Sequence, residues 1–268
     1  MKDEREGTAA ASFDLRQMTD ARVRLGRFGA GVPTRAAQSF LLDHARARQA
    51  VWSEVNWASL RAALGELKLG IVEVESQAID RATYVRRPDL GRKLSTEAAK
   101  RLAGMRSGAD IVIIVADGLS ANAIDANAVP LVRAIVERLL ARRLSIAPLV
   151  LTSQARVALG DPIAETLRAQ ICIMVIGERP GLSAADSAGV YVTYSPQSGT
   201  PDSRRNCISN IRAGGLGIDN AADGVASLVA DMLKTGISGV GLKNALETYC
   251  REAVADVAGG ARLPHRAL

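Results

Sequence analysis

From residue 70 onwards, short apolar runs bounded by turn residues alternate with stretches whose apolar positions recur every three or four residues. Ile71-Val72-Glu73-Val74-Glu75 alternates as a strand does. Ser95 is placed to cap a helix running through Met105, with Glu97 in the first turn, where the helix dipole favours an acid. The apolar runs Ile111–Ala116, Ala147–Leu151 and Ile171–Ile176 then alternate with helical stretches around Val129–Arg143 and Ala158–Ala169. Gly189–Tyr194 supplies another strand-like run, and Ala221–Thr235 another helix. Strands apolar on both faces, interleaved with helices, predict an α/β fold: a Rossmann-like, mostly parallel sheet with helices on both faces.

The preceding segment reads as helical. Residues 1–18 have no sustained periodicity and are expected to form a flexible arm, after which Thr19 can cap a short helix ending near Gly26. Beyond the breaker-rich Gly29–Pro33, positions Ala37, Phe40, Leu41, His44, Val51, Trp52 and Val55 recur at helical spacing, which predicts a long amphipathic helix from Thr34 with His44 on its apolar stripe. Leu60, Ala63, Leu64 and Leu67 mark one side of a second helix within Trp57–Leu67. The expected organisation is an arm over 1–18, a helical N-terminal region over 19–69, an α/β domain over 70–242, and a C-terminal helix and tail over 243–268.

Composition narrows the chemistry more than the fold. The 268 residues are 48% apolar, which excludes global disorder, but they include only two His, three Cys and 3% aromatics. His44, His265, Cys172, Cys207 and Cys250 are scattered, so neither a zinc finger nor a disulfide framework is expected, and the thiols fit a reducing compartment. The net charge of +6 raises the possibility of nucleic acid. Its Arg are distributed along the chain, however, and two Trp, four Tyr and three Phe do not interleave with them as a base-stacking surface requires. Met1–Glu6 is mixed in charge and the longest apolar strings fall far short of the ~20 residues that span a bilayer, so a cytoplasmic protein is expected.

In open α/β sheets ligands bind beyond the carboxyl ends of the strands, where loops and helix N-termini leave backbone donors unpaired. The loops in question are Asp117–Ser120, Thr152–Val157 and Gly177–Ser183. None carries a phosphate-binding glycine fingerprint, and Gly239-Val240-Gly241 is only a fragment of one, which counts against a stand-alone nucleotide-binding oxidoreductase without eliminating it. Glu178 admits two readings, a Glu–Arg pair bracing a turn or an acceptor facing the crevice. Val157 opens the helix at the same rim. Cys207, with no His nearby in sequence, reads as inert packing set among amide and hydroxyl groups. Spacing alone assigns no mechanism to Tyr84–Arg92.

Six strings in these segments resemble the light chain of ethanolamine ammonia-lyase. They are Asp43-His44-Ala45-Arg46-Ala47-Arg48, Arg87-Pro88-Asp89-Leu90-Gly91-Arg92, Asp117-Gly118-Leu119-Ser120, Arg156-Val157-Ala158, Gly177-Glu178-Arg179-Pro180-Gly181-Leu182 and Cys207-Ile208-Ser209-Asn210-Ile211, in family order between about Thr19 and Leu242. The resemblance implies a small subunit active only with its heavy chain, the TIM-barrel partner that binds ethanolamine, in a hetero-oligomer with adenosylcobalamin held between the two. It further implies radical chemistry, begun by homolysis of the cobalt–carbon bond, that converts ethanolamine to acetaldehyde and ammonia. By the same resemblance Val157, Glu178 and Cys207 are the cofactor contacts, no catalytic residue is contributed by this chain, and no metal is held by its side chains. Gln49 departs from the Asp common in the family, Lys243–Leu268 runs beyond the matched region, and Lys2–Ser12 lacks the apolar face that would direct encapsulation in a microcompartment.

Overall fold

The computed structural model describes Gly29 and residues 31–105 and 108–248. The expected arm over 1–18, the short helix at Thr19–Gly26, Cys250 and the tail beyond 248 lie outside the described residues.

Six strands form one sheet: β1 (Ile71–Glu75), β2 (Ile111–Ala116), β3 (Leu149–Ser153), β4 (Ile171–Gly177), β5 (Ala188–Tyr194) and β6 (Asn206–Ile211), in the order β1-β3-β2-β4-β5-β6. The first four are mutually parallel, whereas β5 runs antiparallel to β4 and β6 antiparallel to β5. The sheet is therefore mixed rather than Rossmann-like in detail, and its order differs from the 3-2-1-4-5-6 arrangement of that fold. The reason is local. The segment from Glu178 to Ser187 contains no helix, so the chain returns from β4 as a wide hairpin instead of crossing over.

Helices cover both faces, as expected of strands apolar on both sides. They are α1 (Thr34–Trp52), α2 (Trp57–Gly65), α3 (Arg81–Arg86), α4 (Thr96–Ala103), α5 (Ala121–Ala141), α6 (Gly160–Leu167) and α7 (Ile218–Thr235), and residues 242–248 are helical as well. In β2 the odd positions Ile111, Ile113 and Val115 pack with α2, α5 and α7, while Val112, Ile114 and Ala116 pack with α4 and α6. Every residue of β2 and β4 is buried. Each large aliphatic side chain there is worth roughly 1.5–3 kcal/mol of burial, which makes these strands the firmest part of the sheet. Ser95 caps α4 as expected, its hydroxyl accepting from the Ala98 amide at 3.1 Å.

Two expectations change. First, α1 forms over the predicted span, but it buries only Ala50, and Phe40, Leu41, His44 and Trp52 are exposed. His44 is thus no core histidine; its ring stacks on Phe40 with centroids 6.2 Å apart. Secondly, the stretch Tyr84–Arg92, expected to be extended and turn-rich, begins inside a short helix, Arg81–Arg86, capped by Asp80, whose carboxylate accepts from the Thr83 amide at 2.7 Å. Among the described residues no single helix is long and apolar enough to cross a membrane.

Candidate functional site

The carboxyl ends of β2, β3 and β4 meet at a cleft of about 390 Å³. Its depth comes from two backbones brought into contact. Gly118 has φ +56°, and a Cβ there would lie 2.0 Å from the Gly177 carbonyl oxygen; one on Gly177 would lie 2.2 Å from the Ser120 carbonyl oxygen. The Leu119 amide donates to the Gly177 carbonyl at 2.9 Å, so the β2–α5 loop is joined to the end of β4.

The polar residues of Asp117–Ser120 are consumed by this construction. Asp117 is buried, and its carboxylate accepts from Arg81 Nη1 (3.1 Å) and from the amides of Gln154 (2.9 Å) and Ala155 (3.2 Å). Burial pushes its carboxyl above the usual range, against the opposing pull of those amides and of Arg81. Arg81 also donates to the carbonyls of Gly118 (2.8 Å) and Val51 (2.5 Å). Ser120 caps α5 through the Ala123 amide and donates its hydroxyl to the Ala185 carbonyl at 2.6 Å, fixing the loop after β4. What this loop leaves to the cleft is Gly118 and Leu119.

Glu178 lines the cleft and is half-buried. It is not a brace to Arg179. Its Oε2 accepts from the Ser187 hydroxyl at 2.5 Å and from the Asn210 amide at 3.3 Å. The second bond has a topological cause: the β5–β6 register shifts between Ala188 and Val190, and Asn210 adopts φ +58° there. Such a bulge leaves a backbone group outside the ladder, and Glu178 satisfies it. Gly189 makes the room, since a Cβ on it would lie 2.8 Å from Glu178 Oε1. Among the described residues Oε1 accepts no hydrogen bond, so half of the carboxylate remains available.

Val157 begins the single 3-10 turn that leads into α6 and also lines the cleft. Cys207 does not line it directly. The thiol is exposed on β6, directly across from Tyr191 of β5, and Tyr191 is a lining residue. Although the residue as a whole is exposed, partial desolvation of the sulfur pushes the Cys207 thiol up, the Tyr191 hydroxyl opposes this, and the Glu178 charge adds to it. The structure therefore brings Val157 and Glu178 to one cleft and sets Cys207 beside it. β6 itself was not legible as a strand, because its burial alternates irregularly and only Ile211 is fully buried.

Sequence reasoning missed Tyr84, Tyr191 and the role of Arg156. Tyr84 is fully buried beneath the cleft, donates its hydroxyl to the Ala155 carbonyl at 2.9 Å, and carries the guanidinium groups of Arg156 and Arg81 at 4.3 and 4.9 Å from its ring centroid. The Arg87–Arg92 string has a physical role here. A Cβ on Gly91 would come within 2.9 Å of the Tyr84 ring, and the Gly91 carbonyl accepts from the Arg156 amide at 2.8 Å. Among the described residues no three His, Cys, Asp or Glu side chains gather as a metal site. A second depression, of about 610 Å³ between α4, α6 and the 198–202 loop, collects none of the three expected contacts, and its buried acid Asp161 is already paired with Arg205.

The donor set can be compared with what a corrinoid asks of a protein. Such a ligand presents an apolar macrocycle edge rimmed with carboxamides, and it needs acceptors for their N–H groups beside apolar surface. Glu178 Oε1 is a spare acceptor, and Val157, Leu119 and Ile176 supply apolar surface around it. The residues fit. The cleft itself is of the size that takes drug-sized molecules, roughly 300–1,000 Å³, so it offers one wall to such a ligand and not an enclosure.

Comparison with known proteins places residues 9–243 on the family model for the ethanolamine ammonia-lyase light chain. The chain is 46% identical to the ethanolamine ammonia-lyase small subunit of Rhodopseudomonas palustris over 232 residues, 86% of this chain and 89% of that protein. It is 47% identical to that of Bradyrhizobium diazoefficiens over 235 residues, 87% and 90% of the two chains. With the Pseudomonas fluorescens protein of the same name it shares 44% identity over 247 residues, 91% and 90%.

Proposed function

The chain belongs to the ethanolamine ammonia-lyase light-chain family, and from this premise we propose that it is the small subunit of an adenosylcobalamin-dependent ethanolamine ammonia-lyase, forming one wall of the cobalamin site against a heavy chain that binds ethanolamine. The observation that carries the reading is the meeting of Val157 and Glu178 at one cleft with Cys207 alongside, at the strand ends where physical reasoning places a ligand. When bound, the cofactor supplies the radical chemistry that turns ethanolamine into acetaldehyde and ammonia.

The chain's own part is holding and exclusion. Glu178 offers Oε1 to an amide N–H, with its other oxygen tied to Ser187 and Asn210 so that the carboxylate cannot swing away. Val157 presents its side chain from the start of a helix whose position is set by the Arg156–Gly91 backbone bond. The close contact of Gly118 with Gly177 holds the two loops backbone to backbone at this end of the cleft. A stand-alone nucleotide-binding oxidoreductase is not favoured, since the relatives carry the lyase name and the loop after β2 has no glycine fingerprint.

The test is acetaldehyde formation from ethanolamine and adenosylcobalamin by the heavy chain, with and without this chain. Formation only when both are present supports the proposal. Equal rates without this chain defeat it.

A further inference from the structure

We infer that Arg156 is a further ligand-holding residue of this cleft, a stacked guanidinium that donates to oxygen acceptors on the bound cobalamin. The inference rests on the functional reading above and adds a donor to a wall so far described by its acceptor.

The argument starts from unspent hydrogen-bonding capacity. A guanidinium has five N–H donors and is always charged. Arg156 lines the cleft and is half-buried, yet the acceptor it reaches is the Tyr84 carbonyl, 3.4 Å from Nη2. Its Nε is buried with no partner. Among the described residues no carboxylate lies within ion-pair distance of it. Two other buried arginines contrast in having a carboxylate partner: Arg81 has Asp117 and two carbonyls, although its Nη2 too is buried without a partner, and Arg205 holds Asp161 through both terminal nitrogens at 2.6 and 2.7 Å. Glu178, the acid that lines the same cleft, forms no ion pair with Arg156 among the described residues, and Asp117 is occupied by Arg81 and two amides.

Its position is nevertheless fixed. The backbone is tied to Gly91, and the guanidinium carbon sits 4.3 Å from the Tyr84 ring centroid. That ring is fully buried and anchored through its hydroxyl. A cation held over an aromatic ring, with donors left over at a cleft wall, is preorganised for oxygen acceptors. The same wall carries the spare Oε1 of Glu178, so the pair can take both ends of a carboxamide, N–H at Glu178 and C=O at Arg156. A phosphodiester, also present in cobalamin, offers Arg156 the same kind of oxygen.

The experiment is a spectral titration of the co-expressed heavy- and light-chain assembly with aquocobalamin, comparing wild type with Arg156→Gln and Arg156→Lys, and repeated with cobinamide, which lacks the phosphodiester. Arg156→Gln is expected to raise Kd by about tenfold or more with assembly mass unchanged, and Arg156→Lys to recover only part of this, because an ammonium neither forks nor stacks as a guanidinium does. A penalty that persists with cobinamide assigns the acceptor to a carboxamide, and one that disappears assigns it to the phosphodiester; either supports the inference. Unchanged Kd in both variants, or a fall in Tm with Kd unchanged in the protein that survives, overturns it and makes Arg156 a brace for Tyr84. Failure of the wild-type assembly to take up aquocobalamin overturns the functional reading itself, and this inference with it.

Discussion

Glu178 receives both of its protein hydrogen bonds on one oxygen, and that asymmetry sets what a substitution does there. In Glu178→Gln the amide oxygen can still accept from Ser187 and Asn210, while the NH2 group replaces Oε1 and turns an acceptor into a donor. The fold is therefore expected to keep its Tm, and the assembled enzyme to bind cobalamin more weakly by about 1.5–3 kcal/mol, the worth of a hydrogen bond to a charged group. Equal affinity in a spectral titration would mean that Glu178 only closes the bulge. Cys207 gives a second prediction at this scale. Its thiol is held up by burial and by the Glu178 charge, so less thiolate is present at neutral pH than an ordinary exposed cysteine provides. Alkylation by iodoacetamide, followed by peptide mass analysis, should show a rate that levels off at a higher pH than that of an unperturbed exposed cysteine; Cys172, buried and with its thiol also pushed up, should not react in the folded chain. The carboxylate could be singled out from its place after an apolar run. Tyr84 and Arg156 could not, because their significance is a stacking distance between residues 72 positions apart, which no local pattern contains.

Elements position these residues through a few contacts whose loss can be measured. Gly118→Ala would place a Cβ 2.0 Å from a backbone oxygen that is itself hydrogen-bonded, at a positive φ. Gly236→Ala is a fair control, since φ is +70° there and nothing lies within 4 Å. The control should cost roughly 1–2 kcal/mol, the strain of the left-handed region alone, and Gly118→Ala clearly more, read as the difference in denaturation midpoint. Equal losses would mean that the two loops can separate freely. A related contact ties the residue before β6 to α6: the side chains of Arg205 and Asp161 are almost fully buried and bidentate. Asp161→Asn leaves the buried guanidinium with only the exposed Asp202 as an ion-pair partner and should cost up to about 3–5 kcal/mol, whereas joint replacement of both residues by apolar ones of similar volume should cost less than that single change. The elements that could be read from the chain are those whose pattern is dictated by burial on both faces, β2 and β4 above all. The ones that could not are β6, an edge strand with a bulge, and α3, six residues with a polar first turn, in both of which tertiary partners rather than periodicity decide the conformation. α1 shows the opposite case, where the periodicity was legible but most of the burial it predicts is absent, since Phe40, Leu41 and Trp52 are exposed.

For the molecule as a whole, the proposed role of holding a cobalamin can be set against the size of the cleft. Ligand sites bury about 70–90% or more of a small ligand, and a cleft of about 390 Å³ cannot do this for a corrinoid. The proposed function therefore requires two walls. The expected consequence is thermodynamic: the isolated chain should bind aquocobalamin at least about a hundredfold more weakly than the assembly with the heavy chain, a difference near 2.7 kcal/mol. Equilibrium dialysis of this chain, of the heavy chain and of the two together measures it. If the isolated chain binds as tightly as the assembly, the cleft is a complete site and the one-wall reading is wrong; if the heavy chain alone matches the assembly, Glu178 and Val157 face something other than cobalamin. A Glu178→Gln penalty that appears only in the assembly joins the scales, because it places the spare carboxylate oxygen on the ligand at the moment both walls are present.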